Sequence, residues 1–276
     1  PELLDWLASE LMDHGWSLKH IHRLIVTSAT YQQQSTVTPQ LAGADPENRL
    51  LARMSRMRLP GEGVRDVFLD ASGLLNEQIG GPPVYPPAPT FLFQPPVSYG
   101  PKAWDTDTDG DQYRRALYTF RFRSVPYPVL QNFDTPRGDV ACVRRNRSNT
   151  PLQALTTLNE DLFVECAQQL AVAVVNDASF ASDEQRLIAM FERVLSRSPE
   201  SDELESLRSF VQRQQQRFGD PSLADQAALL AGTSWASSSS EPTAGDRRID
   251  VPLAEQAAWT AVARVILNLD ETITRP

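Results

Sequence analysis

Apolar residues recur at helical spacing along most of the chain. Leu3, Leu7 and Leu11 stand one turn apart until Gly15 interrupts them. Ser17 occupies a capping position, and Leu18, Ile21, Leu24 and Ile25 share a face behind it. Asp45–Pro46 pairs a capping carboxylate with a proline at the first helical position, which predicts a helix carrying Leu50, Leu51, Met54 and Met57. After Pro60–Gly61, the positions Val64, Val67, Phe68, Ala71, Leu74 and Leu75 predict another helix, ended by Gly80–Gly81.

The strongest helix start is Thr150–Pro151–Leu152–Gln153, a capping box with proline at the first helical position. Behind it Leu152, Leu155, Leu158, Leu162, Cys166 and Leu170 predict one long apolar face. Ser182 with Gln185 repeats the device ahead of Leu187, Ile188, Phe191, Val194 and Leu195. Leu204, Leu207 and Val211 mark a further helix that stops near Gly219, and Asp220–Pro221 can restart the chain. The last helix is expected over 253–269, after a flexible stretch, SSSSEPTAG, at 237–245.

Two stretches break the helical texture. Eight prolines fall within 82–101, which excludes regular helix and central strand. Tyr85, Phe91, Phe93 and Tyr99 lie among them, so the segment reads as a long ordered loop packed by its aromatics. The run ALYTFRFR at 116–123 partly alternates and predicts one short strand, stopped by Pro126 and Pro128. The expected fold is therefore mainly α: a multi-helix domain with a long Pro-rich loop and at most one or two short strands. The 276 residues read as a single domain, or as subregions 1–112 and 113–276 joined by the loop 80–112.

Composition narrows the function classes. No run approaches eighteen apolar residues, so no membrane-spanning helix is expected. Residues 1–13 are acidic and amphipathic, unlike a signal peptide, and no initiator Met precedes them. That leads to the expectation of a piece of a longer protein. A net charge of −9 argues against general nucleic-acid binding. Between residues 113 and 147, however, eight arginines face only Asp134 and Asp139, a net +6.

This basic segment holds the main candidate site. Arg144, Arg145 and Arg147 stand just ahead of the Thr150 helix start. One reading is a structural clamp, an ion-pair network with Asp134, Asp139 or a distant glutamate. The other is a cradle for phosphate, sulfate or carboxylate, built from guanidinium forks and free helix N–H groups. The clamp is preferred, because Thr150 and Gln153 already satisfy some of those N–H groups.

Weaker candidates follow. Asp105, Asp107, Asp109 and Asp111, with Gly110 at the sixth place, resemble the opening of a calcium loop, but Ala116 stands where the bidentate Glu belongs. Only weak calcium binding is expected there. His14, His20 and His22 lack the i, i+4 pairing of a helical metal site. Cys142 and Cys166 form no CxxC, CxxCH or zinc pattern, so no haem attachment is expected in this chain. A reactive Cys142 thiol lacks a nearby base in sequence, and a Cys142–Cys166 disulfide would need 142–150 to run back along the helix.

Several segments together resemble one bacterial family, the planctomycete-specific PSD domain, domain of unknown function 1553. They include PELLDWLASE at 1–10, GWSLKHIHRLIVTSATYQQ at 15–33 and DPENRLLAR at 45–53. RDVFLDASGLL at 65–75, GGPPVYPP at 80–87 and YRRALYTFRFRSVPYP at 113–128 continue the likeness. The most specific are FDTPRGDVACVRRNRSNTPLQALTTLN at 133–159 and AWTAVARVILNLDETI at 258–273. The resemblance implies a mostly helical C-terminal module of large exported proteins, with a haem-binding cytochrome c-like region upstream. Haem c would then belong to the upstream domain, the partners would be upstream domains of the same polypeptide, and the location would be extracytoplasmic. No catalytic residues carry over. The first functional expectation is a non-catalytic interaction or scaffold module that docks on those domains or on another protein. The alternative is a hydrolase or binding domain for an anionic polysaccharide.

Overall fold

The computed structural model describes residues 1–93, 103–108, 110–138, 140–232 and 251–275. Twelve α-helices and one two-stranded sheet occur among them, so the chain is mainly α. It divides into two compact units, Pro1–Arg58 with Thr274–Pro276, and Leu59–Ile273. The division falls at Arg58/Leu59, whereas the sequence offered a subregion boundary at 112. The described part of the Pro-rich segment is bound into the larger unit. Val84 is buried, Tyr85 packs on Trp104 and Phe120, and Phe93 stacks on Trp104. The rest of that segment, with Tyr99, and the flexible stretch 237–245 lie outside the described residues.

In the smaller unit, α1 (Glu2–Asp13) and α2 (Leu18–Val26) are joined by a tight turn in which Gly15 and Trp16 both take positive φ. Ser17 caps α2 as expected, its hydroxyl accepting from the His20 N–H at 3.3 Å. Asp45–Pro46 starts no helix. The Asp45 carboxylate accepts the N–H groups of Arg49 and Leu50 at 2.8 and 2.7 Å, and so folds 45–50 into a turn. The local helix is instead α3 (Pro39–Ala44), capped by Thr38. β1 (Met57–Arg58) and β2 (Thr274–Arg275) pair antiparallel, Met57 opposite Arg275.

The larger unit is built around two apolar helices. α7 (Asp161–Val175) packs against α4 (Gly61–Ser72), α6 (Pro151–Asn159), α8 (Asp183–Leu195) and α11 (Leu253–Leu267). α11 also meets α9 (Ser201–Phe218) and α10 (Ala224–Ala231). Ala167, Ala171, Ala257, Ala258 and Ala263 are buried along α7 and α11, and such small side chains let helix axes approach closely. Trp259, Val262 and Ile266 fill the space between. α5 (Pro128–Asn132) and the short α12 (Asp270–Ile273) complete the set.

Two local readings change. The long helix expected from Thr150 is broken at Glu160, which leaves α6 and caps α7 through the Leu162 N–H at 3.0 Å. The break shifts the helical phase, so Leu152 and Leu155 are exposed while Gln153, Thr156 and Thr157 point inward. The expected strand at 116–123 is a 3₁₀ turn, Ala116–Tyr118, followed by an isolated bridge between Thr119 and Val84. Gly73, in the left-handed conformation, ends α4 before Gly80 is reached.

Candidate functional site

The basic segment is organised by α4. Glu62 and Asp66 lie one turn apart on that helix, so their carboxylates share a face. Asp66 accepts from the Ala116 N–H at 2.7 Å and pairs with Arg115 at 3.3 Å. Glu62 receives Arg121 at 3.0 Å and Arg145 at 2.8 Å, one on each carboxylate oxygen. Arg121 also donates to the Pro136 carbonyl at 3.0 Å. Burial works against the Glu62 charge, but hydrogen bonds and the two guanidiniums hold its pKa below the usual glutamate value.

Gly61 puts Glu62 in place. A Cβ there would lie 2.8 Å from both Phe133 Cβ and Thr135 Cγ2, so the first turn of α4 can lie against the 133–135 turn only with glycine. Asp134, at a φ of 59°, closes the base of the following loop. Its carboxylate accepts the Ser148 N–H at 2.7 Å and the Ser148 hydroxyl at 2.6 Å. The Gln153 amide donates to the Asn132 carbonyl at 3.0 Å and to the Ser148 hydroxyl at 3.2 Å, and Thr150 accepts the Gln153 N–H. Thus Asp134, Thr150 and Gln153 stitch the loop's two ends together. Asp134 pairs with a serine, and the distant glutamate Glu62 takes the arginine.

The eight arginines now sort by role. Arg114 is buried and spent on the carbonyls of Gln78, Gly80 and Pro82, with Tyr118 stacked on its guanidinium. Arg115, Arg121 and Arg145 pair with α4. Arg123, Arg137, Arg144 and Arg147 are exposed and make no ion pair among the described residues. Val143 is fully exposed beside them, and Leu117 is 73% exposed. A cleft of about 480 Å³ lies here, lined by Glu62, Leu117, Tyr118, Phe120, Arg121 and Arg145 among others. Asp139 lies outside the described residues.

The remaining sequence candidates lie elsewhere. Asp107 is spent on the backbone: its carboxylate accepts the Tyr85 N–H, and its own N–H reaches the Tyr85 carbonyl. Asp105 is exposed, Asp111 opens a 3₁₀ turn, and Asp109 lies outside the described residues. Both cysteines are free thiols, Cys142 exposed and Cys166 buried. The disulfide option therefore gives way to a core thiol that burial pushes up to about 12.

Two groupings escaped the sequence reading. One is a partly buried acid cluster on α7. Tyr113 donates to Glu165 at 2.5 Å, and the fully buried Arg65 donates to the carbonyls of Gln112 and Arg114 at 2.6 Å each. Burial pushes the Glu160 carboxyl up to about 7 and raises Glu165 as well, with Asp161 adding to both shifts. Its sequence signal was faint: one glutamate just ahead of α7 and another within it. The other joins Glu10 of α1 and His14, the residue that caps its C-terminus, to His20 of α2, and their donor atoms all lie within 4.8 Å of one another. Glu10 and His14 do show i, i+4 spacing, but His20 arrives only through the turn at Gly15.

The family assignment follows from the whole of this chain's first three-quarters. The family model of PSD1, a protein of unknown function (DUF1553), matches residues 1–211. The chain belongs to the PSD1 family. No curated protein and no solved structure gives a significant match. The PSD1 match includes α4, the 113–147 segment and the α7 acid cluster. It ends within α9, yet α11 beyond it supplies Trp259, Val262 and Ile266 to the same core.

Proposed function

We propose that this PSD1 chain is a non-catalytic interaction module whose basic loop, 135–147, docks on an acidic protein surface. One observation carries the reading: Arg123, Arg137, Arg144 and Arg147 stay exposed without ion-pair partners among the described residues, while the loop's base is tightly stitched. Three arginines are consumed by α4, and four remain as surplus positive charge on a chain of net −9. Val143 and Leu117 add apolar side chains to that surface, as protein interfaces do around arginine anchors. The proposed partner is an acidic domain of the same polypeptide. The resemblance to modules of exported proteins makes a cytochrome c-like region the first candidate, in an extracytoplasmic setting. Such a region would bring the haem; this chain supplies the dock.

The cleft supports a second reading, binding of an anionic polysaccharide over Tyr118 and Phe120 with Arg121 and Arg145 on the acid groups. It fits hydrolysis poorly. The cleft's lining carboxylate, Glu62, is held ionised by two guanidiniums and makes a poor general acid, and glycoside hydrolysis needs a pair.

The test is the full-length native polypeptide, with Arg144→Glu and Arg147→Glu introduced together. Docking predicts a c-type haem spectrum in the parent and looser domain association in the variant, seen as an increase in hydrodynamic radius with unchanged circular dichroism. An unaltered radius would remove the docking reading, and polygalacturonate binding that survives this double change but is lost on Arg145→Glu would favour the polysaccharide.

A further inference from the structure

We infer that Glu10, His14 and His20 form a binding site for a divalent transition-metal cation, with Zn²⁺ the best fit. The three sit on the α1–α2 hairpin of the smaller unit and are independent of the docking loop. Glu10 lies in the last turn of α1 and His14 caps its C-terminus four residues on, its N–H bonded to the Glu10 carbonyl at 3.1 Å, so both side chains rise from the same side. The positive-φ pair Gly15–Trp16 reverses the chain, and the Ser17 cap starts α2 so that His20 returns to that face.

Two of the donor spacings match a metal's first coordination sphere, and all three donor atoms lie within 4.8 Å of one another. A tetrahedral ion with bonds of about 2.0–2.1 Å holds its ligand atoms about 3.3 Å apart. Glu10 Oε2 lies 3.3 Å from His14 Nδ1 and 3.0 Å from His20 Nε2. Two imidazoles and one carboxylate form the donor set that suits zinc, and they leave a fourth position for water. Hard cations such as Ca²⁺ and Mg²⁺ prefer an all-oxygen set. Among the described residues, this is the group of histidine, cysteine and carboxylate side chains whose donor atoms converge closely enough to share an ion.

The arrangement of the two rings shows what binding must change. The two imidazole rings stack at 3.8 Å between centroids, tilted by only 13°. Near-parallel rings at that separation cannot both aim an in-plane lone pair at one atom, so one ring must turn. His14 is the one with room, at 48% side-chain exposure against 29% for His20. Its Nδ1 also contacts the Glu10 carbonyl at 3.0 Å, and turning gives up that hydrogen bond. Both ligating nitrogens face Glu10 oxygens, so each must present a lone pair in place of that hydrogen bond to bind the cation. The ion replaces two hydrogen bonds and a ring stack with three coordinate bonds, and so ties α1 to α2.

The test is titration of the intact chain with ZnCl₂ alone, followed by Co²⁺ substitution read by its d–d absorption. One equivalent should bind, raise the temperature at which the hairpin melts, and give Co²⁺ bands typical of four-coordination. His14→Ala and His20→Ala should each weaken binding by at least the roughly 10–100-fold that loss of even an outer-shell partner costs. His22→Ala, two residues from His20 and facing elsewhere, should bind as the parent does. Circular dichroism of each variant separates a lost ligand from a lost fold. Absence of stoichiometric Zn²⁺ binding would overturn the site, as would equal binding by parent and both ligand variants, or loss of binding on His22→Ala.

Discussion

Glu160 shows how a single side chain can carry both local structure and pH dependence. It ends α6, caps α7, and is pushed up to about 7 from an ordinary glutamate value of 4.5, chiefly by burial. Below about 4.5 both folded and unfolded forms hold the proton. Between there and about 7 only the folded form keeps it, so this residue's contribution to stability falls as pH rises and levels off above. Glu160→Gln keeps the capping oxygen and removes the titration. The variant's melting temperature relative to the parent should therefore rise from pH 5 to pH 8, by an amount corresponding to roughly 1–3 kcal/mol. A pH-independent difference would mean that Glu160 is ionised in the fold. Gly61 makes a steric argument of the same size. An alanine there meets Phe133 and Thr135 at 2.8 Å, so Gly61→Ala should cost about 1–3 kcal/mol in denaturant unfolding. It should also displace Glu62 from Arg145.

At the level of elements, starts and stops were the most legible features, because capping chemistry is local. Ser17, Ser182 and Thr150 cap with their hydroxyls as the sequence reads, although Gln185 takes the Ala181 N–H instead of that of Ser182 and the Gln153 amide donates to Asn132, and Gly219 ends α9. Asp45–Pro46 failed for an equally local reason: the carboxylate bonds to N–H groups four and five residues ahead, which closes a turn in place of a helix. The inward face of α6 was misread because its buried residues are polar. Gln153 and Thr156 point inward to bond Asn132, and only the fold brings Asn132 there. The candidate site was hidden similarly, since Glu62 lies 59 residues from Arg121 and 83 from Arg145. The composition showed a surplus of arginine and could not say which would be neutralised. Among the helices, α11 is, with α7, central to the core. Trp259 is fully buried between α7 and its neighbours, and Trp259→Ala should cost about 3–5 kcal/mol and lower the unfolding midpoint of the whole larger unit. A transition confined to α10 and α11 would show that these helices unfold separately.

For the whole molecule, the arginines fall into two sets, those paired with α4 and those of the loop that the proposed docking would use. Those paired with α4 are partly shielded and geometrically fixed, whereas those of the loop are exposed and salt-sensitive. Cys142 reports directly on the second set. Its thiol is exposed within the loop, next to Arg144, while Cys166 is buried and shielded from reagent. The decisive measurement is the rate of Cys142 alkylation by iodoacetamide in the full-length native protein, at low and at high salt. Docking through the loop arginines should give slow labelling at low salt that accelerates severalfold at high salt, and Arg144→Glu with Arg147→Glu should label fast under both conditions. Equal, fast labelling of the parent at both salt concentrations would contradict a docked loop.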